Sequence, residues 1–146
     1  MNTMKDTQQL ETVSFLLAQV CKLFRQKVQI HLSDLGLHVG QEKVLLHLWR
    51  QDGLTLSEMA EQLCVQPATV TTMLNRMIKA RLVEKRQDTE DRRVSRVYLT
   101  AYGRSLHQPL TEIWADVEAM LLLGLTREEQ ILLRRLLLQV YQNLTT

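Results

Sequence analysis

Residues 67–104 constrain the fold more than any other stretch. They open with a short amphipathic helix, in which Val70, Leu74 and Met77 recur at steps of four and three. That stripe faces inward, with the aliphatic stem of Arg81 extending it. The opposite side carries Ala68, Thr69, Thr71, Thr72, Asn75 and Lys79. Threonine is a poor choice for a helix surface, because β-branching restricts its rotamers. Either the hydroxyls contact something outside the chain, or Thr69 and Thr71 satisfy amides of the first turn. Residues 82–88 and 94–99 then alternate as two strands. A polar loop without glycine, residues 88–93, joins them, and Thr100 caps the next helix. Helix, hairpin, helix is the outline of a winged helix.

Charge sharpens that reading. Residues 76–104 hold nine of the 18 Lys and Arg but only four of the 16 acids, so the rest of the chain is acidic on balance. A basic cluster alone is usually a solvated face. On a hairpin next to a hydroxyl-rich helix it has the form of a footprint for phosphate.

Upstream, residues 55–63 and 67–80 make a helix-turn-helix. Thr55 and Glu58 have capping-box spacing, residues 64–66 form the turn, and Pro67 fits a first helical position, where its missing N–H is not needed. The inward side of the first of these helices is Leu56, Met59, Ala60 and Leu63. A helix over 40–52 precedes them, with Val44, Leu45, Leu48 and Trp49 inward and Gly53 after its end. The longest stripe comes first: Leu10, Val13, Leu17, Val20, Phe24, Val28, His31 and Leu35, stopping near Gly36, after nine polar, frayed residues. Downstream, an apolar helix from Thr100 to Gly124 contains Pro109, which is expected to bend or break it. Thr126 and Glu129 repeat the capping-box spacing, and a helix over 127–143 follows with leucines on more than one side.

These features predict a mainly α protein with a small β-hairpin: a winged helix-turn-helix plus a helical dimerisation region. The 146 residues are expected to form one domain (1–146). Within it, 40–100 would be the DNA-binding lobe, and 10–36 with 101–144 the dimerisation region. The first and last helices hold more apolar surface than the winged helix can cover, so a homodimer is expected.

No apolar span of 18 residues and no secretory signal is present, which predicts no membrane partner and a cytoplasmic, reduced protein. Cys21 and Cys64 lie far apart, the four His are scattered, and no local ligand spacing suggests a metal or cofactor. His107 with Glu42 is conceivable only in three dimensions. There is no nucleophile–base pair, phosphate loop or carboxylate pair, so an enzyme is not expected. A rival function is a winged helix that binds protein or senses a ligand without touching DNA. The basic wing and the hydroxyl-rich helix argue against it.

The runs Leu-Ser-Glu-Met-Ala-Glu-Gln-Leu (56–63), Ala-Thr-Val-Thr (68–71), Leu-Asn-Arg-Met (74–77), Leu-Val-Glu-Lys-Arg (82–86), Asp-Arg-Arg (91–93) and Val-Tyr-Leu-Thr-Ala-Tyr-Gly (97–103) resemble the MarR family of bacterial transcription regulators. With Leu-Thr-x-x-Glu at 125–129, the similarity spans almost the whole chain. It implies a triangular homodimer whose two winged helices meet palindromic double-stranded DNA, commonly as a repressor. By that resemblance, Thr69, Thr71, Thr72 and Asn75 would face the major groove. Arg76 and Lys79 would lie near phosphates. Arg93 would enter the minor groove, with Asp91 orienting an arginine and shaping the wing. Arg86 would support the wing and contact phosphate, and Arg92 and Arg96 are further basic positions. Release by a small aromatic or phenolic ligand, or by oxidation, is also implied. His31, His38, Trp49 and Trp114 are candidate cleft residues. Cys21 lies later in the first helix than the cysteine of the peroxide-sensing members and is expected to be packed. Cys64, beside the recognition helix, is the candidate redox site.

Overall fold

The computed structural model describes residues 12–145, so the expected frayed start and Leu10 lie outside the described residues. Two compact units follow one another, with the boundary between Ile113 and Trp114.

In the first unit, α1 (Val13–Ser33) is capped by Thr12, whose hydroxyl accepts the Phe15 N–H at 3.2 Å. It ends where Leu37 N–H reaches back to the Leu32 carbonyl and Gly36 N–H to that of Ser33, both at 3.0 Å, a Schellman closure. Only Val28 and Leu32 of this helix are buried. Cys21, expected to be packed, is therefore exposed: it falls in the part of α1 that the unit does not cover.

The helix α2 (Gln41–Arg50) buries Val44, Leu45 and Leu48, and α3 (Leu56–Leu63) buries Met59 and Ala60. Leu56, Leu63 and Trp49 are half-buried. Thr55 and Glu58 form the full capping box, at 3.1 and 3.0 Å. The helix α4 (Pro67–Lys79) buries Val70, Leu74 and Met77. Arg81 does not extend that stripe. The helix stops before it, and Arg81 takes φ +58 with its side chain exposed. Its carbonyl accepts the Thr100 hydroxyl at 2.5 Å, so the residue makes the turn into the sheet.

The sheet has three antiparallel strands in the order β1–β3–β2: β1 (Leu54–Thr55), β2 (Val83–Gln87) and β3 (Ser95–Leu99). The hairpin pairs Val83 with Leu99 and Gln87 with Ser95. The added strand β1 pairs Leu54 with Val97 and Thr55 with Arg96. Two residues are too few to show alternation, and the same Thr55 that ends β1 caps α3. Gly53, φ +78, sits just before, and a Cβ there would come within 2.8 Å of the Tyr98 ring. Leu32, Val44, Leu45, Leu48, Leu54, Met59, Met77, Leu82 and Val97 share the core.

Thr100 caps α5 (Ala101–Ser105) by accepting the Gly103 N–H at 3.0 Å. The single helix expected from there to Gly124 is broken at Leu106, and α6 (His107–Leu122) starts anew. Pro109 explains the position of the break, because it has no N–H to offer the Ser105 carbonyl four residues back. The second unit holds the end of α6 and α7 (Arg127–Thr145), which begins with a capping box between Thr126 and Glu129 at 2.8 and 3.2 Å. No residue of α7 is buried.

One buried charge stands out. Glu42, 1% exposed, accepts the Gly40 N–H at 2.7 Å at the start of α2. Burial pushes its pKa above the ordinary 4.5, against the lowering effect of hydrogen bonds from its own N–H and Gly40 and of the Lys43 charge. A raised folded pKa means the contribution to stability is complete below the unfolded value and is lost as pH rises through the folded one. Thermal unfolding of wild type against Glu42→Gln should therefore show wild type losing ground as pH rises above about 4.5 and through the raised folded value. A melting-temperature difference that does not change with pH would contradict this.

Candidate nucleic-acid interface

The turn between α3 and α4 is made by Cys64 in the left-handed region at φ 54, with Val65 N–H returning to the Ala60 carbonyl at 3.1 Å. Pro67 then starts α4. No side chain caps it at Gln66, and its first turn carries no acid. Neither its cap nor its own first turn sets a negative charge against the positive end of the helix dipole, a setting that favours an anion.

Burial of Val70, Leu74 and Met77 turns the other face of α4 outward. Thr69, Thr72, Arg76 and Lys79 follow one another at steps of three and four, flanked by Thr71 and Asn75, and all six are exposed. Thr71 and Thr72 donate their hydroxyl protons to the carbonyls of Pro67 and Ala68, both at 3.1 Å. Thr71 thus bonds a carbonyl and does not satisfy a first-turn amide. Its oxygen lone pairs, like those of Thr72, remain available as acceptors on the outer face. A cleft of about 290 Å³ runs along this side, lined by His38, Val39, Gln41, Thr69, Thr72, Met73 and Arg76.

The wing tip is tied by its own acids. Asp88 N–H bonds the Val94 carbonyl at 2.8 Å, and an Asp88 carboxylate oxygen accepts the Asp91 N–H at 3.2 Å. The Asp91 carboxylate accepts three bonds from Arg93: its N–H at 3.0 Å, Nε at 3.1 Å and Nη2 at 3.2 Å. These bonds, the side-chain ones first, hold the Asp91 carboxyl below its ordinary pKa. The Arg93 side chain is nonetheless 91% exposed, an oriented cation at the tip. Arg92, beside it, is exposed too. Arg86 lies over the Tyr98 ring, 4.6 Å from its centroid, and pairs with Glu84.

Sequence reasoning missed the residues that hold the sheet to the helices. Asp52 Oδ1 accepts the Leu99 N–H at 2.9 Å and the Gly53 N–H at 3.2 Å, while Oδ2 accepts from Arg104 at 2.5 Å. Arg96 bonds Asp88 and the Gly53 carbonyl, both at 2.9 Å. These partners are separated by up to 52 positions, and no local spacing announces them.

The candidate cleft residues do not all meet. His38 joins the cleft beside α4, whereas Trp49 meets His107 edge to face at 4.7 Å. His31 and Trp114 are half-buried. Glu42, conceived as a partner for His107, spends its carboxylate on Gly40. Cys64 is exposed. Among the described residues no group of three His, Cys, Asp or Glu is placed to hold a metal ion.

A helix-turn-helix whose second helix presents hydroxyls, an amide and cations, followed by a strand-paired wing with an arginine at its tip, defines a winged helix-turn-helix domain. The comparisons agree. The model of the MarR family matches residues 37–95. The organic hydroperoxide resistance transcriptional regulator of Bacillus subtilis is 30% identical over 132 residues, 90% of this chain and 86% of that protein. MepR of S. aureus, solved in complex with DNA, superposes with a TM-score of 0.78 at 26% identity, covering 91% of this chain and 96% of that one. BpsR of Bordetella bronchiseptica, whose DNA binding is regulated by 6-hydroxynicotinic acid, does so with 0.80 at 25% identity, covering 90% and 94%. The chain belongs to the MarR family and is a transcriptional regulator of that type.

Proposed function

We propose that this chain is a cytoplasmic homodimeric repressor that reads palindromic double-stranded DNA. The carrying observation is the exposed outer face of α4 in the same unit as a wing tip with Arg93 held out by Asp91. Thr69, Thr71, Thr72 and Asn75 read base edges in the major groove, which admits a helix. Arg76, Lys79, Arg86 and Arg92 lie against phosphates. Arg93 enters the minor groove, where negative potential is strongest when the groove is narrow. MepR, a relative seen on DNA, supports this reading.

Dimerisation follows from surface that one chain leaves wet. Val13, Leu16, Val20, Leu23 and Ile30 of α1 are exposed, as are Ile131, Leu132, Leu136, Leu137, Tyr141 and Leu144 of α7. Apolar area in water costs about 25 cal/mol per Å². Two copies that bury these faces bring two recognition helices to one duplex. A small aromatic ligand releases the DNA, in keeping with BpsR, and oxidation of exposed Cys64 is the other route.

Selection from randomised duplexes, with light scattering on the same sample, tests this. The expected mass is twice the 17.0 kDa chain. The expected sequence is an inverted repeat with half-sites roughly 10 bp apart. Peroxide in the same assay, with Cys64→Ser as control, separates oxidation from ligand release. A monomeric mass, or selected sequences without symmetry, would overturn the dimeric reading.

A further inference from the structure

The hairpin register sets Arg86 and Arg96 directly opposite each other. Like charges in that position repel, so a pair of arginines there needs a reason. The two guanidinium groups separate to different partners. Arg86 goes to Tyr98 and Glu84. Arg96 turns to Asp88 Oδ1 through Nε and to the Gly53 carbonyl through Nη1, each at 2.9 Å. The Arg96–Asp88 pair is partly shielded, with side chains 34% and 18% exposed.

A continuous set of direct contacts results. Gly53 precedes β1 and the helix-turn-helix, and its carbonyl holds Arg96. Arg96 holds Asp88, whose other oxygen holds the Asp91 N–H at 3.2 Å. Asp91 holds Arg93. The bond from Arg96 is the largest influence keeping the Asp88 carboxyl below its ordinary pKa, so the pair stays charged at neutral pH.

We propose that Arg96 is a positioning residue for Arg93: with Asp88 and the Gly53 carbonyl it braces the wing tip against the start of the helix-turn-helix, and so aims Arg93 at the minor groove. This rests on the DNA-binding reading above. Arg96 is then needed for affinity without touching DNA, and its effect passes through Arg93. A phosphate-binding Arg96 would act independently of Arg93, as would one that only stabilises the fold.

The test is a double-mutant cycle on the selected duplex, using wild type, Arg93→Ala, Arg96→Met and the double variant. Asp88→Asn repeats the cycle with the Arg96 charge kept, in case Arg96→Met fails to fold. Circular dichroism at the assay temperature checks each protein. Arg96→Met and Asp88→Asn are each expected to weaken binding about tenfold, or about 1.4 kcal/mol. In either background Arg93→Ala should then cost several-fold less than in wild type. Full, independent losses in folded variants would overturn the brace. A salt slope lower by about 1.8 in Arg96→Met alone, about 0.9 for each of the two wings, with the Arg93 penalty intact, would make Arg96 a phosphate contact instead. Wild type binding no duplex would overturn the DNA-binding reading and the brace with it.

Discussion

Gly103→Ala is expected to destabilise the protein by about 3 kcal/mol or more. A Cβ at that position would lie 2.1 Å from the Leu82 carbonyl oxygen and 3.2 Å from both the Leu82 carbonyl carbon and Leu99 Cδ2. The oxygen cannot give way cheaply. It accepts the Thr100 N–H at 3.2 Å and shares the Thr100 hydroxyl proton, at 3.0 Å, with the Arg81 carbonyl, and Leu82 is itself buried. The alternative is for α5 to lift away, which would break the Thr100 cap that starts it. At roughly 2–4 °C per kcal/mol, the melting temperature should fall by about 6–12 °C. A melt within about 2 °C of wild type would mean that α5 does not approach the sheet as closely as described.

Arg93→Ala should do the reverse, leaving the fold alone and removing function. Its side chain is 91% exposed, and its ion pair with Asp91 lies at the surface, where such pairs contribute little. The melting temperature and dimer mass should stay as in wild type. DNA affinity should fall by about 10- to 100-fold per wing, the range of a good groove contact, and a dimer loses both wings together. Equal affinity in Arg93→Ala would show that the tip of the wing does not enter the groove.

The features legible in the sequence were those set by spacing within a turn or two. Both capping boxes, at Thr55 with Glu58 and at Thr126 with Glu129, formed as their three-residue spacing requires. The stripe of Val70, Leu74 and Met77 is buried, which in turn presents the outer face of α4. The hairpin expected from alternation over 82–88 and 94–99 forms, with residues 83–87 paired to 95–99. Features decided by distant partners were not legible. The strand β1 exists because Leu54 and Thr55 find Val97 and Arg96, and two residues carry no period of their own. Asp52 reaches Leu99 and Arg104, 47 and 52 positions on. The basic character of Arg96 was visible, but its commitment to Asp88 and Gly53 depends on the folded sheet. Arg81 and Cys21 failed for opposite reasons. A left-handed residue interrupts the stripe at Arg81, and the helix carrying Cys21 outruns the core of one chain.

The most direct test of sequence-specific DNA binding is fluorescence anisotropy of a labelled duplex from the region upstream of the protein's own gene. It is titrated beside an unrelated duplex at several salt concentrations. Tighter binding to the upstream duplex is predicted, with log affinity falling linearly in log salt and a slope that counts the phosphates contacted. No binding to either duplex, even at low salt, would contradict it and would turn the exposed face of α4 and the wing toward a protein partner.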